Sequence, residues 1–109
     1  MELSAAQKKV DDWIKKFGVR YFDEMTNLGI LMEEVGELAR VMTRKYGEQS
    51  SKDSDLKYKM EEELGDVFFV LICLANQTNI DLETAFLQTL KKKSDRDSTR
   101  HKSNNKLDF

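Results

Sequence analysis

The chain has 109 residues, of which 39% are hydrophobic and 35% are charged, and its formal net charge is −2. This length predicts a single domain, residues 1–109, with one modest core. The chain contains no proline, which favours an all-α fold. A single cysteine excludes an internal disulfide and indicates a reducing cytoplasm. No apolar run approaches the length of a transmembrane helix, so no membrane partner is expected.

Charge is distributed unevenly along the chain. Residues 91–109 contain seven Lys/Arg and three Asp, whereas the preceding residues contain eleven basic and seventeen acidic side chains, a net charge of −6. From about residue 94 the sequence predicts a polar, basic C-terminal tail. Such a tail on an acidic body is compatible with binding nucleic acid, or with reaching phosphates held at an acidic metal site.

Apolar periodicity predicts four helices, in a four-helix-bundle-like arrangement. They run from Ser4 to Gly18, from Asp23 or Thr26 to about Tyr46, from about Leu56 to Thr78, and from Leu82 to about Lys93. A Ser4–Gln7 capping box is predicted to open the first helix, Asn79 to end the third and Asp81 to cap the fourth. The polar segment Glu48–Asp55 predicts a loop.

Two acidic motifs lie on the second and third predicted helices, at residues 33–37 (Glu-Glu-Val-Gly-Glu) and 61–66 (Glu-Glu-Glu-Leu-Gly-Asp). Within each motif two acids are spaced i, i+3 and therefore share a helix face, within or beside an apolar stripe. These four acids are Glu34, Glu37, Glu63 and Asp66. Carboxylates directed at a core repel one another and lose hydration. A divalent cation would relieve both costs, and an all-carboxylate ligand set favours Mg²⁺ or Mn²⁺ over zinc.

Other interpretations of the acids fit the sequence less well. Interhelical ion pairs would need basic residues on the same faces, and neither apolar face carries one that is well placed. A di-iron bundle needs Glu-x-x-His motifs that project inward, but the only histidine, His101, lies in the polar tail. The sequence also lacks a Ser/His/Asp set, a glycine-rich phosphate loop and zinc-ligand spacing.

The two acidic motifs, with 25 residues between Glu37 and Glu63, resemble those of the MazG-like, all-α nucleoside triphosphate pyrophosphohydrolases. The flanking segments Leu31–Ala39, Glu62–Val67 and Ile80–Leu82 agree with this resemblance. The run from Lys92 to Leu107 is similar to the small single-domain bacterial members. The resemblance implies Mg²⁺-dependent hydrolysis of an NTP or dNTP to the monophosphate and pyrophosphate, in house-cleaning of the nucleotide pool.

The resemblance also implies a set of metal ligands, and the residues themselves suggest candidates for the other roles. Mg²⁺, or Mn²⁺ in its place, would be held by four acids, which are Glu34, Glu37, Glu63 and Asp66. Glu33, beside the ligand Glu34, is the candidate for orienting or deprotonating the attacking water. The alternative is that Glu33 is a surface glutamate. Lys92 and Arg96 are predicted to contact phosphates, or else form a solvated helix end. Trp13, with Arg20 nearby, is predicted to stack on the base, or else Trp13 belongs to the core.

Apolar residues on the outer side of the third predicted helix, Phe68, Phe69 and Ile72, predict a subunit interface. The resemblance likewise implies a homodimer or homotetramer. Two alternative functions stay open. One is the related phosphoribosyl-ATP pyrophosphohydrolase, and the other is a non-enzymatic helical module that binds nucleic acid through its basic tail.

Overall fold

The structure is a computed structural model that describes residues 1–49, 53–97 and 99–108, and for residues 53–58 the backbone alone. Within these ranges there are four α-helices and no strand: α1 (Leu3–Trp13), α2 (Glu24–Tyr46), α3 (Asp53–Gln77) and α4 (Leu82–Asp97). A π-helical turn (Ile14–Gly18) extends α1, and a 3₁₀ turn (Asn105–Leu107) lies near the C-terminus. The all-α prediction is confirmed. None of the described helices is both long enough and apolar enough to cross a membrane.

Local side-chain signals set several of the helix ends. Asp23 caps α2, because its Oδ1 accepts a hydrogen bond from the backbone N–H of Thr26 at 2.8 Å. Asn79 follows α3 with a φ of 59°, a left-handed conformation that ends helices. Asp81 precedes α4, and its Oδ2 accepts from the backbone N–H of Thr84 at 3.2 Å. The predictions for these three residues are confirmed.

The Ser4–Gln7 capping box does not form. α1 begins one residue before Ser4, and no side chain caps its first turn. The Gln7 side-chain amide instead donates to Oδ1 of Asn76 at 3.0 Å and to the carbonyl of Ile80 at 2.8 Å. Its oxygen accepts from the backbone N–H of Leu82 at 2.9 Å. Gln7 therefore ties α1 to the end of α3 and to the beginning of α4.

Two other predicted boundaries were wrong. α3 begins at Asp53, within the predicted Glu48–Asp55 loop, whose residues 50–52 lie outside the described part of the chain. α4 continues to Asp97, four residues beyond its predicted end. An i, i+4 ion pair of 2.8 Å between Lys91 and Asp95 spans this extension. Such pairs stabilise a helix by about 0.2–0.5 kcal/mol, and a search for hydrophobic periodicity does not register them.

α2 and α3 pack against each other in antiparallel directions. At one end of the pair, the buried Asn27 donates from its side chain to Oε1 of Gln77 at 2.7 Å. In the middle, Glu37 of α2 lies beside Glu63 of α3. α1 packs on α3, where one buried cluster forms from Val10, Ile14, Ile72 and Cys73. The register of the α2–α3 pair thus brings the two acidic motifs together.

The chain leaves much apolar surface uncovered. Its radius of gyration is 17.6 Å, whereas a compact domain of this length has about 13 Å. α4 packs against α1 and leaves Phe86, Leu87 and Leu90 about half exposed. On α3, Phe68 is 42% exposed, but Ile72 is buried in the α1–α3 cluster. The placement of Ile72 on the outer side was therefore wrong, because α1 covers that part of α3.

A strained turn follows α1 and its π-helical extension. Val19 has φ 70° and ψ −57°, and the backbone N–H of Arg20 donates to the carbonyl of Gly18 at 2.8 Å. These angles and this bond define a γ-turn of the rare, strained kind, which is unfavourable for a β-branched residue. The chain then leads to Tyr21, whose hydroxyl donates to Asp11 at 2.7 Å and accepts from Asn76 at 3.1 Å.

The role of Gln7 can be tested by urea denaturation of two α1 variants. Gln7→Ala should lower the free energy of unfolding by about 1–3 kcal/mol, because it leaves partners in α3 and α4 without a hydrogen bond. The matched control Ser4→Ala should change it by less than about 0.5 kcal/mol, since Ser4 is exposed and caps nothing. Equal effects of the two substitutions would contradict this assignment.

Candidate metal centre and its flanking pockets

The acidic cluster lies midway along the α2–α3 pair. One carboxylate oxygen from each of Glu34, Glu37 and Glu63 lies within 4.8 Å of the other two. Glu34 and Glu37 are one turn apart on α2, and Glu63 faces them from α3. Glu34 and Glu63 are half-buried, whereas Glu37 is exposed. The structure therefore brings three of the four predicted metal ligands together.

Two oxygens of this cluster lack hydrogen-bond partners. Oε2 of Glu34 and Oε2 of Glu63 are both buried, and neither has a partner among the described residues. Leaving a buried acceptor unpaired costs about 1–3 kcal/mol, and more if it is charged. Protein groups thus leave these two oxygens free to serve as ligands, and a bound cation would supply the missing interaction.

The electrostatics of the cluster point the same way. Burial raises the pKa of the Glu34 carboxyl, and the negative charges of Glu37 and Asp66 raise it further. Burial also raises the pKa of Glu63, as do its contact with Glu37 and the charge of Asp66. Since both pKa values are raised, the metal-free folded protein binds protons more tightly than the unfolded chain in the window just above the ordinary glutamate pKa. The contribution of these two groups to stability therefore falls as the pH rises through that window.

The remaining two predicted acids lie at the edge of the cluster. Asp66 is exposed, one turn beyond Glu63 on α3, and its oxygens do not belong to the group that lies within 4.8 Å. Its charge nevertheless reaches both Glu34 and Glu63. Glu33 is exposed beside Glu34 and adds a smaller increase to the pKa of that neighbour.

This set of donors fits a small divalent cation. Carboxylate oxygens are hard ligands of the kind that Mg²⁺ and Mn²⁺ bind in proteins. Ligand oxygens on opposite sides of Mg²⁺ lie about 4.2 Å apart, at metal–oxygen distances of about 2.1 Å. Because the three glutamate oxygens lie within 4.8 Å of one another, their separations are compatible with shared ligation of one such ion.

A cavity of about 260 Å³, here called the apolar pocket, lies on one side of the acidic cluster. Trp13 and Arg20 both line it, so the structure brings these two predicted residues to one place. Ile30, one turn before Glu34, and Val70, one turn after Asp66, belong to its wall. Trp13 packs edge to face on Phe69, with ring centroids 5.7 Å apart, and is 49% exposed. Its ring is therefore accessible from the pocket.

A second cavity, here called the basic cleft, lies on the other side of the cluster and has a volume of about 280 Å³. Glu37 and Glu63 form its acidic end. Its other polar residues are the cations Arg40, Arg44 and Lys59. Sequence reasoning missed all three. The available signal was their spacing, since Arg40 and Arg44 follow Glu37 by three and seven residues, and Lys59 precedes Glu63 by four.

The two cations that were predicted to contact phosphates lie elsewhere. Lys92 and Arg96 line a shallow groove on α4, and Arg96 forms an ion pair with Asp97 at 3.0 Å. α4 packs on α1, and neither residue lines the apolar pocket or the basic cleft. The structure does not bring them to the acidic cluster, and their contact with phosphate stays a prediction.

Comparison with known protein sequences places these features in a family. Residues 22–101 match the model of the MazG nucleotide pyrophosphohydrolase domain. The YpjD protein of Bacillus subtilis (strain 168) is 44% identical over 94 residues, which cover 86% of this chain and 85% of YpjD. The YvdC protein of the same organism is 33% identical over 90 residues, which cover 76% of this chain and 84% of YvdC.

Solved structures resemble the chain in fold as well as in sequence. A Bacillus-conserved MazG protein, a nucleotide pyrophosphohydrolase, is 43% identical with a TM-score of 0.73, over 84% of this chain and 88% of that one. The structure of YpjD from Bacillus subtilis is 41% identical with a TM-score of 0.78, over 84% and 94% of the two chains. The matched residues 22–101 include both acidic motifs. The chain belongs to the MazG nucleotide pyrophosphohydrolase family.

Proposed function

We propose that this protein hydrolyses a nucleoside triphosphate, NTP or dNTP, to the monophosphate and pyrophosphate, with Mg²⁺ or Mn²⁺ as the cofactor. Membership of the family supports hydrolysis of a nucleotide. The observation that carries metal dependence is that Glu34 and Glu63 each have a buried oxygen without a partner among the described residues, and that both carboxylates cluster with that of Glu37. We further propose that the reaction removes unwanted nucleotides from the pool, in a reducing cytoplasm where the buried thiol of Cys73 stays free.

Glu34, Glu37 and Glu63 would hold the ion, with Asp66 as the fourth ligand. When bound, the ion would neutralise charge on the phosphate chain and lower the pKa of a nearby water. Without a metal ion, the raised pKa values of Glu34 and Glu63 favour protonation of these carboxyls. A bound ion would take the place of those protons.

The exposed carboxylate of Glu33 is the proposed base that accepts a proton from the attacking water. The water oxygen forms a bond to the α-phosphorus while the bond from that phosphorus to the α,β-bridging oxygen breaks. Pyrophosphate leaves with the bridging oxygen and its electron pair, and the monophosphate keeps the oxygen of the water.

The apolar pocket is the proposed site of the base. Trp13 offers an accessible ring for stacking, and Arg20 lines the same pocket. Because Ile30 of the pocket precedes Glu34 by one turn of α2, a base bound there would present its phosphate chain to the acidic cluster. A largely apolar cavity with few polar groups is the usual form of a small-molecule site.

We also propose that the protein is a homodimer or homotetramer. α2 exposes an apolar seam of five residues: Met25, Leu28, Met32, Val35 and Met42. Their alternating spacing of three and four residues, which continues through Ala39, is the pattern by which helices pair with a partner helix. An exposed apolar surface of this extent marks an interface. Since Val35 follows Glu34 directly, the second copy would lie next to the acidic cluster.

The nucleic-acid alternative is weakened by ion pairs within the basic tail. Lys91 is paired with Asp95 at 2.8 Å, and Arg96 and Arg100 are both paired with Asp97, at 3.0 Å and 3.4 Å. Exposed pairs are weak, but they reduce the charge available to phosphates. A substrate panel that includes phosphoribosyl-ATP tests the other alternative.

Conservative variants of the acids test the metal centre. Glu37→Gln and Glu63→Gln should each abolish turnover, because each removes a charged ligand. Without metal, both variants should melt at or above the temperature of the parent, since each substitution relieves repulsion within the cluster. Glu62→Gln, at an exposed neighbouring position, is the matched control and should retain activity. Full turnover of Glu37→Gln and Glu63→Gln at saturating Mg²⁺ would rule out the metal assignment.

Isotope labelling of the products tests the position of attack. With ¹⁸O-labelled water, the label should appear in the nucleoside monophosphate, and the co-product should be unlabelled pyrophosphate, as measured by mass spectrometry. EDTA should stop the reaction, and Mg²⁺ or Mn²⁺ should restore it. Label in free phosphate, with a nucleoside diphosphate as the co-product, would show attack at the terminal phosphorus and refute the proposal.

The seam on α2 can be tested by the mass of the protein in solution. The parent should be a dimer or tetramer by light scattering during size-exclusion chromatography. Met32→Glu should shift the mass toward that of the monomer, because it places a charge in the middle of the seam. Lys9→Glu on α1, an exposed position outside the seam, is the control and should leave the mass unchanged. A monomeric parent would contradict the proposal.

A further inference from the structure

We infer that Arg40, Arg44 and Lys59, in the basic cleft, bind the β- and γ-phosphates of the substrate and thereby determine which phosphorus is attacked. This inference rests on the proposed function and assigns the phosphate contacts within it. It also differs from the prediction for Lys92 and Arg96, which lie on α4 and outside the cleft.

The first support is the order of the sites along the α2–α3 pair. On α2, the apolar pocket is lined by Ile30, the acids follow at Glu34 and Glu37, and the cations come next at Arg40 and Arg44. With a rise of 1.5 Å per residue, Ile30 lies about 10 Å from Glu37, which in turn lies about 10 Å from Arg44. These spans suit a nucleotide whose base and terminal phosphates lie on opposite sides of the metal centre.

α3 carries the same order in the reverse chain direction, as its antiparallel packing requires. Val70 lines the apolar pocket, Asp66 and Glu63 provide the acids, and Lys59 lines the basic cleft. Both helices therefore contribute to each of the three sites. A substrate in this groove would meet an apolar, an acidic and a basic zone in succession.

The second support is the state of the three cations. None of the ion pairs within the described residues involves Arg40, Arg44 or Lys59, although Glu37 and Glu63 line the same cleft. Arg40 and Lys59 are exposed, and Arg44 is half-buried. Arg44 makes one long contact of 3.5 Å, to the carbonyl of Arg40. Among the described residues, no ion pair therefore competes with an anion for their donors in a cleft of about 280 Å³.

The third support is the charge that a metal–triphosphate complex presents. Its cation matches the carboxylates, but its outer phosphate oxygens would be repelled by them. Arginine and lysine donors bind such oxygens through charge-assisted hydrogen bonds. The basic cleft supplies these donors within one or two turns of Glu37 and Glu63, on the side away from the apolar pocket.

Attack at the α-phosphorus follows from this orientation. With the base in the apolar pocket and the two outer phosphates in the basic cleft, the α-phosphate lies over the acidic cluster. When water adds to that phosphorus, the bond to the α,β-bridging oxygen breaks, and pyrophosphate gains the negative charge. Arg40, Arg44 and Lys59 would stabilise this developing charge.

Inorganic pyrophosphate is the probe for this test, since its binding needs no turnover. In the presence of Mg²⁺, isothermal titration calorimetry should show that Arg40→Ala, Arg44→Ala and Lys59→Ala each weaken pyrophosphate binding by about tenfold or more. Lys45→Ala is the matched control, because Lys45 is adjacent to Arg44 on α2 but lies over the ring of Tyr46 and not in the cleft. Pyrophosphate binding by Lys45→Ala should change by less than about twofold. The affinity of the three cleft variants for nucleoside monophosphates should change equally little.

Two results would overturn the inference. One is a parent protein that does not bind pyrophosphate. The other is unchanged pyrophosphate affinity in the three cleft variants, including the case in which Lys92→Ala and Arg96→Ala weaken it instead. Should the parent hydrolyse no nucleotide while pyrophosphate binding still depends on the cleft cations, the proposed function fails and the phosphate site stands. If the cleft variants hydrolyse the substrate normally and bind pyrophosphate with unchanged affinity, the proposed function stands and the phosphate site fails.

Discussion

Asn27 and Gln77 join the beginning of α2 to the end of α3 through a side-chain hydrogen bond of 2.7 Å. Because Asn27 is buried, a shift of one helix along the other would leave its amide only the longer bond of 3.3 Å to the carbonyl of Phe22, at a cost that favours a single register. That register decides which residues face one another further along the pair. It sets Glu63 against Glu34 and Glu37, and it sets Lys59 beside Arg40 and Arg44.

The acidic cluster is costly for the folded protein in the absence of a ligand. Two buried oxygens lack partners within the described part of the chain, and burial together with neighbouring carboxylates raises the pKa values of Glu34 and Glu63. These costs fall on a chain with a small core and a radius of gyration of 17.6 Å. A ligand that binds only the folded state stabilises it by mass action. Binding of the proposed ion would therefore also raise the stability of the fold.

The sequence was sufficient for features that depend on local spacing. The i, i+3 acid pairs identified both halves of the cluster, and Asp23, Asn79 and Asp81 marked helix ends through contacts with their near neighbours. Features that depend on tertiary packing were not predictable in this way. Gln7 has the local signature of a capping box, yet its side-chain amide donates hydrogen bonds to residues about 70 positions away in the chain. Arg40 and Lys59 share a cleft only because two helices pack antiparallel.

The γ-turn at Val19 has a consequence for how the wall of the apolar pocket can change. Gly18 and Arg20, on either side of it, line the apolar pocket, so this wall of the pocket combines the end of the π-helical turn with a short strained segment. A residue held in a rarely populated conformation costs about 1–3 kcal/mol. Substitutions in this turn can reshape the wall without moving α2 or α3, which carry the acids. Under the proposed function, selectivity for the base and the hydrolytic chemistry would reside in separate parts of the chain, so that evolution could change the first while it preserves the second.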